Sequence, residues 1–77
     1  MATREIKLTR DWWQLTSGAT TEIIQFRGSI EVADSTLKPA PDAPALHFVD
    51  TTLTATSPRV IWVRAAGGNE GMTMKIL

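Results

Sequence analysis

The sequence contains no cysteine and only one histidine, His47. The absence of cysteine excludes disulfides and thiolate metal sites, and one histidine cannot build a histidine-rich site. In a chain of 77 residues, a single core supplies only about 3–5 kcal/mol of stability, and such domains often gain more from disulfides, metals or a partner chain. Association with further copies of the chain is therefore the expected additional source of stability.

Neither sign of charge is in excess, because eight Lys and Arg residues balance eight Asp and Glu residues. Nucleic-acid-binding proteins normally carry a basic face, since release of counterions from phosphates supplies much of their affinity. We therefore expect no nucleic-acid partner. No apolar run is long enough for a membrane span or a signal peptide, so we also expect no membrane partner and synthesis in a cytoplasm.

Strand patterns are favoured over helical patterns along the chain. Short runs of alternating or β-branched residues are separated by Gly, Pro, Ser and Asp, and such spacing is typical of a sandwich or small barrel. We predict one all-β domain over residues 1–77, a small antiparallel β-sandwich or barrel of about six to eight short strands. The predicted strands span 5–9, 11–15, 21–27, 29–33, 45–49, 52–56, 59–65 and 72–76.

The segment 59–77 gives the clearest strand pattern. Val60, Trp62 and Arg64 share one face of a strand, and the other face carries Ile61 and Val63. A strand that is apolar on both faces requires a cover on each. Residues 66–71 contain three glycines, which favour a turn, so we expect the strands at 59–65 and 72–76 to form a β-hairpin.

Two further features are candidates for an interaction surface. Trp12 and Trp13 are adjacent, so on a strand they face opposite ways, and we expect one in the core and the other exposed or at an interface. Residues 34–44 form a proline-rich loop with Pro39, Pro41 and Pro44, which cannot donate to a ladder at the prolines. Two interpretations of this loop stay open: an arm that lies against a neighbouring subunit, or a connector between strands.

No residues point to catalysis. The acidic residues are spread singly, whereas acid–base chemistry uses paired titratable groups in different environments. Ser17-Gly18 lacks the flanking glycines of a nucleophile elbow. His47 has no identifiable carboxylate and nucleophile partners, so a strand histidine that faces solvent is the simpler interpretation. We expect no enzymatic activity, no catalytic residues, no cofactor and no metal.

Two motifs carry a resemblance to a known class of proteins. The first is Trp12-x-x-Leu15-Thr16-x-Gly18, and the second runs from Val60 to Gly67 as Val-Ile-Trp-Val-Arg-Ala-x-Gly. In this order the motifs resemble the small structural proteins of tailed-bacteriophage virions, which include head-decoration, fibre and tail-associated proteins. The resemblance implies a non-enzymatic virion component that is made in the host cytoplasm and assembled in many copies.

The resemblance also implies partners. Virion proteins of this kind are commonly symmetric homo-oligomers, with a trimer favoured, and contact other virion proteins such as the major capsid protein. We place the expected interface on the outward residues of the 59–65 strand, the tryptophans and the prolines: Trp12, Trp13, Pro39, Pro41, Pro44, Val60 and Trp62. The alternatives are a fibre or tail-tip component that recognises a host surface, and a carbohydrate-binding module that uses an exposed tryptophan.

Overall fold

The computed structural model describes residues 3–77. Within them it contains eight strands and no helix, which confirms the all-β prediction. The strands are β1 (Arg4–Lys7), β2 (Trp13–Thr16), β3 (Glu22–Phe26), β4 (Ser29–Asp34), β5 (Leu46–Val49), β6 (Thr52–Ala55), β7 (Ile61–Ala65) and β8 (Thr73–Ile76).

The strands form two antiparallel sheets of four strands each. Their orders are β1-β8-β3-β6 and β2-β7-β4-β5. Every connection passes from one sheet to the other except the β4–β5 connection, which is the proline-rich segment and is called the 35–45 loop below. This strand order is that of a jelly roll, an eight-stranded sandwich of two sheets.

The expected hairpin at 59–77 is wrong, because β7 and β8 belong to different sheets. The glycine-rich connection does not close a ladder between its own flanking strands. Instead, Ala66 N–H donates to Ser29 O at the start of β4, and Gly71 N–H donates to Leu8 O beyond β1. The chain therefore passes from one sheet to the other here through residues that are mostly exposed.

The core lies between the two sheets. Ile24 and Phe26 of β3 and Met74 and Ile76 of β8 are all buried in it. The side chains that are less than 2% exposed come from both sheets and from the segment after β1: Leu8, Ile24, Ile30, Val63, Met74 and Ile76. Burial of a large aliphatic side chain contributes about 1.5–3 kcal/mol, so this shared core is the main force that holds the sheets face to face.

One glycine is needed where the chain passes from β3 to β4. Gly28 has a φ of +101°, and a Cβ atom there would lie 2.8 Å from Oδ1 of Asn69. Its N–H donates to Oδ1 of Asp50, and its carbonyl accepts from Asp50 N–H at 3.0 Å. The crossing between sheets therefore depends on a residue without a side chain.

Candidate interaction surfaces

The 35–45 loop folds over the outer face of the β2-β7-β4-β5 sheet. Three side chains donate hydrogen bonds to backbone carbonyls of the loop, two from β7 and one from the residue before β2. Trp62 Nε1 donates to Ser35 O at 2.8 Å, Trp12 Nε1 to Ala40 O at 3.0 Å, and Arg64 Nη1 to Pro41 O at 2.8 Å. Since prolines remove backbone donors but leave every carbonyl, a proline-rich segment is well matched to a surface that offers N–H groups.

Arg64 is the centre of these contacts. Its side chain is almost fully buried, and its guanidinium lies 4.2 Å from the centroid of the Trp12 ring. Nε donates to Oε1 of Glu31 at 2.5 Å, and Arg10 contacts the same carboxylate oxygen at 3.3 Å. The planar guanidinium thus satisfies a carboxylate, a carbonyl and an aromatic face together, which a lysine ammonium could not do with the same geometry.

The electrostatics of Glu31 follow from this arrangement. Burial acts to raise the pKa of its carboxyl group, but hydrogen bonds and charge from Arg64 and Arg10 outweigh burial, so the pKa lies below its ordinary value of 4.5. Glu31 therefore stays ionised as the counter-ion of two arginines. This ion network fixes the sheet surface on which the loop lies.

The structure brings most of the predicted interface residues to this one surface. Trp12 is buried and Trp62 is half-buried, both hydrogen-bonded to the loop, and Pro39 is half-buried within it. Pro41 and Pro44 are exposed. The cover that the outer face of β7 requires thus comes from the same chain, while an intermolecular interface at these residues stays a prediction.

The two adjacent tryptophans do face opposite ways, but neither is exposed. Trp13 pairs with Val63 of β7 and packs against the core from the inner face. Trp12 points to the outer face, where the loop and Arg64 bury it. The sequence predicted that one tryptophan would be exposed or at an interface with another molecule. Trp12 does face outward, but a loop of the same chain covers it. Val60, the remaining predicted interface residue, lies before β7 and is half-buried.

The residues with potential chemistry lie apart. Within residues 3–77 no group of three or more His, Asp and Glu side chains is placed to hold a metal ion. His47 is exposed on β5 and pairs in register with Glu31, whose carboxylate is bound by Arg64 and Arg10. The described part of the chain also contains no helix that is long and apolar enough to cross a membrane.

A second surface was not foreseen from the sequence. The outermost strands β5 and β6 lie on the same side of the sandwich and line an apolar cavity of about 130 Å³ with Leu46, Phe48 and Leu53. Leu46 is 67% exposed beside it. The sequence did carry a signal, because residues 43–58 contain Asp50 as their only charged residue.

Comparisons with known proteins identify no relative. No family model, curated protein or solved structure matches the chain.

Proposed function

We propose that the protein is a non-enzymatic structural component of a tailed-bacteriophage virion, which decorates or stabilises the capsid in many copies as a symmetric homo-oligomer. Its partners are further copies of the chain and other virion proteins such as the major capsid protein. The proposal rests on the two motifs that resemble such proteins and on what their residues do in the fold.

The observation that carries the proposal is the position of the side chains of the second motif in the fold. Val63 and Ala65 are fully buried in the core, while Trp62 and Arg64 on the opposite face hold the 35–45 loop. Every one of these side chains is thus used to join parts of the same domain. These four side chains are thus engaged within the fold, which is compatible with a structural role for the motif.

The fold is compatible with this role and does not decide it. Jelly rolls occur in viral capsid proteins and also in lectins, so the architecture alone leaves both a virion role and carbohydrate binding possible. The tryptophans argue against carbohydrate binding by an exposed aromatic ring. Stacking on a sugar needs an open aromatic face, but Trp12 is buried beneath Arg64 and the loop, and the Trp62 indole is also tied to the loop.

The outer face of the β1-β8-β3-β6 sheet is exposed and offers a surface to a virion partner. Glu5 and Lys75 lie in register on it, and Ile23 and Leu77 are exposed large apolar side chains. Leu77 N–H donates to Ile23 O, which holds the two apolar residues together. A mixed patch of this kind fits a polar rim around a small apolar centre.

A gene-deletion and add-back experiment tests the proposal. Particles of the phage that encodes the chain are assembled without its gene, purified, and incubated with the pure protein. We expect saturable binding, and immunogold labelling over the head. Labelling at the fibres or tail tip would favour the alternative of host-surface recognition, and no binding to any part of the particle would contradict a virion role.

A further inference from the structure

The four outermost strands of the sandwich differ in how they are protected from pairing with another chain. β1 carries Arg4, Glu5 and Lys7, and β2 contains a register shift between Gln14 and Thr16. Charged side chains and bulges are the usual protections of an edge strand. β5 and β6, with the sequences LHFV and TLTA, contain neither a charged residue nor proline. The unprotected edges therefore lie together on one side of the molecule.

The free backbone groups of β5 can be assigned. Asp50 N–H donates to Gly28 O, and Val49 pairs in register with Ser29. Because hydrogen-bonded and non-hydrogen-bonded pairs alternate along an antiparallel ladder, Phe48 and Leu46 bond to β4. His47 and Val49 therefore direct their N–H and C=O groups away from β4, toward the open edge.

The chemistry of this edge defines what could pair with it. The side chains of Leu46 and Phe48 line the apolar cavity between the sheets, and no charged residue lines that cavity. A charged partner strand would lose hydration there without gaining an ion pair. The partner must offer free backbone groups and uncharged, apolar side chains, and the same edge of a second copy offers both.

We propose that β5 pairs antiparallel with β5 of a second copy, about a twofold axis at His47. Directly opposite residues of a continuous sheet share a face, so the axis must pass through a residue pair. With the axis at His47, Leu46 of each copy lies opposite Phe48 of the other, and the two His47 backbones exchange hydrogen bonds. The two β2-β7-β4-β5 sheets become one sheet through a self-complementary interface.

The side chains agree with this register. Leu46 and Phe48 are on the inner face of the sheet, in register with Val32 and Ile30. In the pair they meet across the axis over the mouth of the apolar cavity, which reduces the exposure of Leu46. His47 and Val49 are on the outer face, and both stay exposed to solvent in the pair. The pairing therefore covers Leu46, the most exposed apolar side chain of β5, and leaves the polar His47 in water.

This inference rests on the homo-oligomer of the proposed function but not on the virion role. The experiment uses the pure chain at concentrations up to about 1 mM, with sedimentation for mass and NMR for register. We expect a concentration-dependent dimer and a cross-peak between the Hα protons of Leu46 and Phe48, which are close only between copies, in a non-hydrogen-bonded pair. The cross-peak should disappear on dilution.

Two variants and a matched control sharpen the test. Leu46→Lys adds a charge to the edge and should raise the dimer dissociation constant at least about tenfold. Leu37→Lys makes the same change at a leucine that is 77% exposed on the 35–45 loop and should leave dimerisation unchanged. His47→Pro removes an N–H that points to the open edge, so it should weaken the dimer while the β4–β5 ladder remains. Dispersed amide spectra confirm that each variant is folded.

Each of the following results would overturn the pairing. The first is a monomer at every concentration. The second is a trimer, because a threefold axis cannot place His47 opposite itself. A trimer is the oligomer that the resemblance to virion proteins predicts. The third is a dimer whose affinity changes equally in Leu46→Lys and Leu37→Lys, or which lacks the cross-peak. A trimer would leave the proposed function intact, and binding to particles is measured separately.

Discussion

The guanidinium of Arg64 stacks on the ring of Trp12, 4.2 Å from its centroid, on the outer face of the β2-β7-β4-β5 sheet. The two residues are far apart in the sequence, and each also donates to a carbonyl of the 35–45 loop. This contact joins the first motif, the second motif and the proline-rich segment. It makes the loop part of the folded domain.

The planar shape of Arg64 should matter more than its charge. Arg64→Lys keeps the charge but cannot reach Glu31, Pro41 O and the Trp12 ring together, so we expect unfolding free energy to fall by about 2 kcal/mol. Arg59→Lys is the control, since Arg59 forms an exposed ion pair with Asp34 and should change stability by less than about 0.5 kcal/mol. Urea unfolding measures both. Equal effects in the two variants would show that Arg64 is not a centre of stability.

The 35–45 loop should stabilise the isolated chain. Replacing residues 38–44 with a Gly/Ser linker of equal length uncovers Trp12, and loss of burial of one large side chain costs about 1.5–3 kcal/mol. We expect a lower melting temperature and tryptophan emission shifted to the red. Pro44→Ala, at an exposed position, serves as the control. Unchanged melting and emission in the linker variant would mean that the loop is only a connector.

Glu31 makes stability depend on acid pH. Its pKa is depressed in the folded chain, so its contribution is present above the unfolded value and is lost as pH falls through the folded value. The difference in stability between the parent and Glu31→Gln should therefore be largest near neutral pH and shrink below pH 4.5. Unfolding at a series of pH values measures it. A carboxyl of Glu31 that titrates above 4.5 by NMR would contradict the arginine network.

Gly28 and Gly67 form a matched pair of glycines. Gly28→Ala places a Cβ 2.8 Å from Asn69 at a φ of +101°, and strain of this kind costs about 1–3 kcal/mol. A Cβ at Gly67 meets nothing within 4 Å, so Gly67→Ala should be neutral within about 0.5 kcal/mol. Thermal unfolding compares them. Equal stability of the two variants would mean that the β3–β4 crossing tolerates a side chain.

The sequence predicted the strands well because strand formation depends on a local pattern, the alternation of apolar and polar side chains between neighbouring residues. All eight predicted segments overlap a strand, and the faces assigned to Trp62 and Val63 are confirmed. Alternation shows which face a side chain occupies but not which strand lies beside it. The hairpin prediction failed for that reason, since glycines in 66–71 allow a tight turn and also allow a crossing between sheets.

The sequence carried different amounts of information on the loop-covered surface of β7 and on the open edge at β5 and β6. The apolar and aromatic residues on both faces of β7 showed that a cover was needed, but the contact of Trp12, Arg64 and Pro41 joins distant segments that no spacing connects. The open edge at β5 and β6 had a readable signal in the near-absence of charge over 43–58. The open edge was not predicted, because the strand order decides which strands lie at the edge of a sheet, and local sequence patterns do not show that order.

The most direct test of the proposed virion role is quantitative mass spectrometry of purified particles from the phage that encodes the chain. We expect the protein to stay with the particles through a density gradient. We also expect a copy number in fixed proportion to the major capsid protein, as repeated sites on a symmetric shell require. A protein that is abundant in the infected cell but absent from purified particles would contradict a virion role.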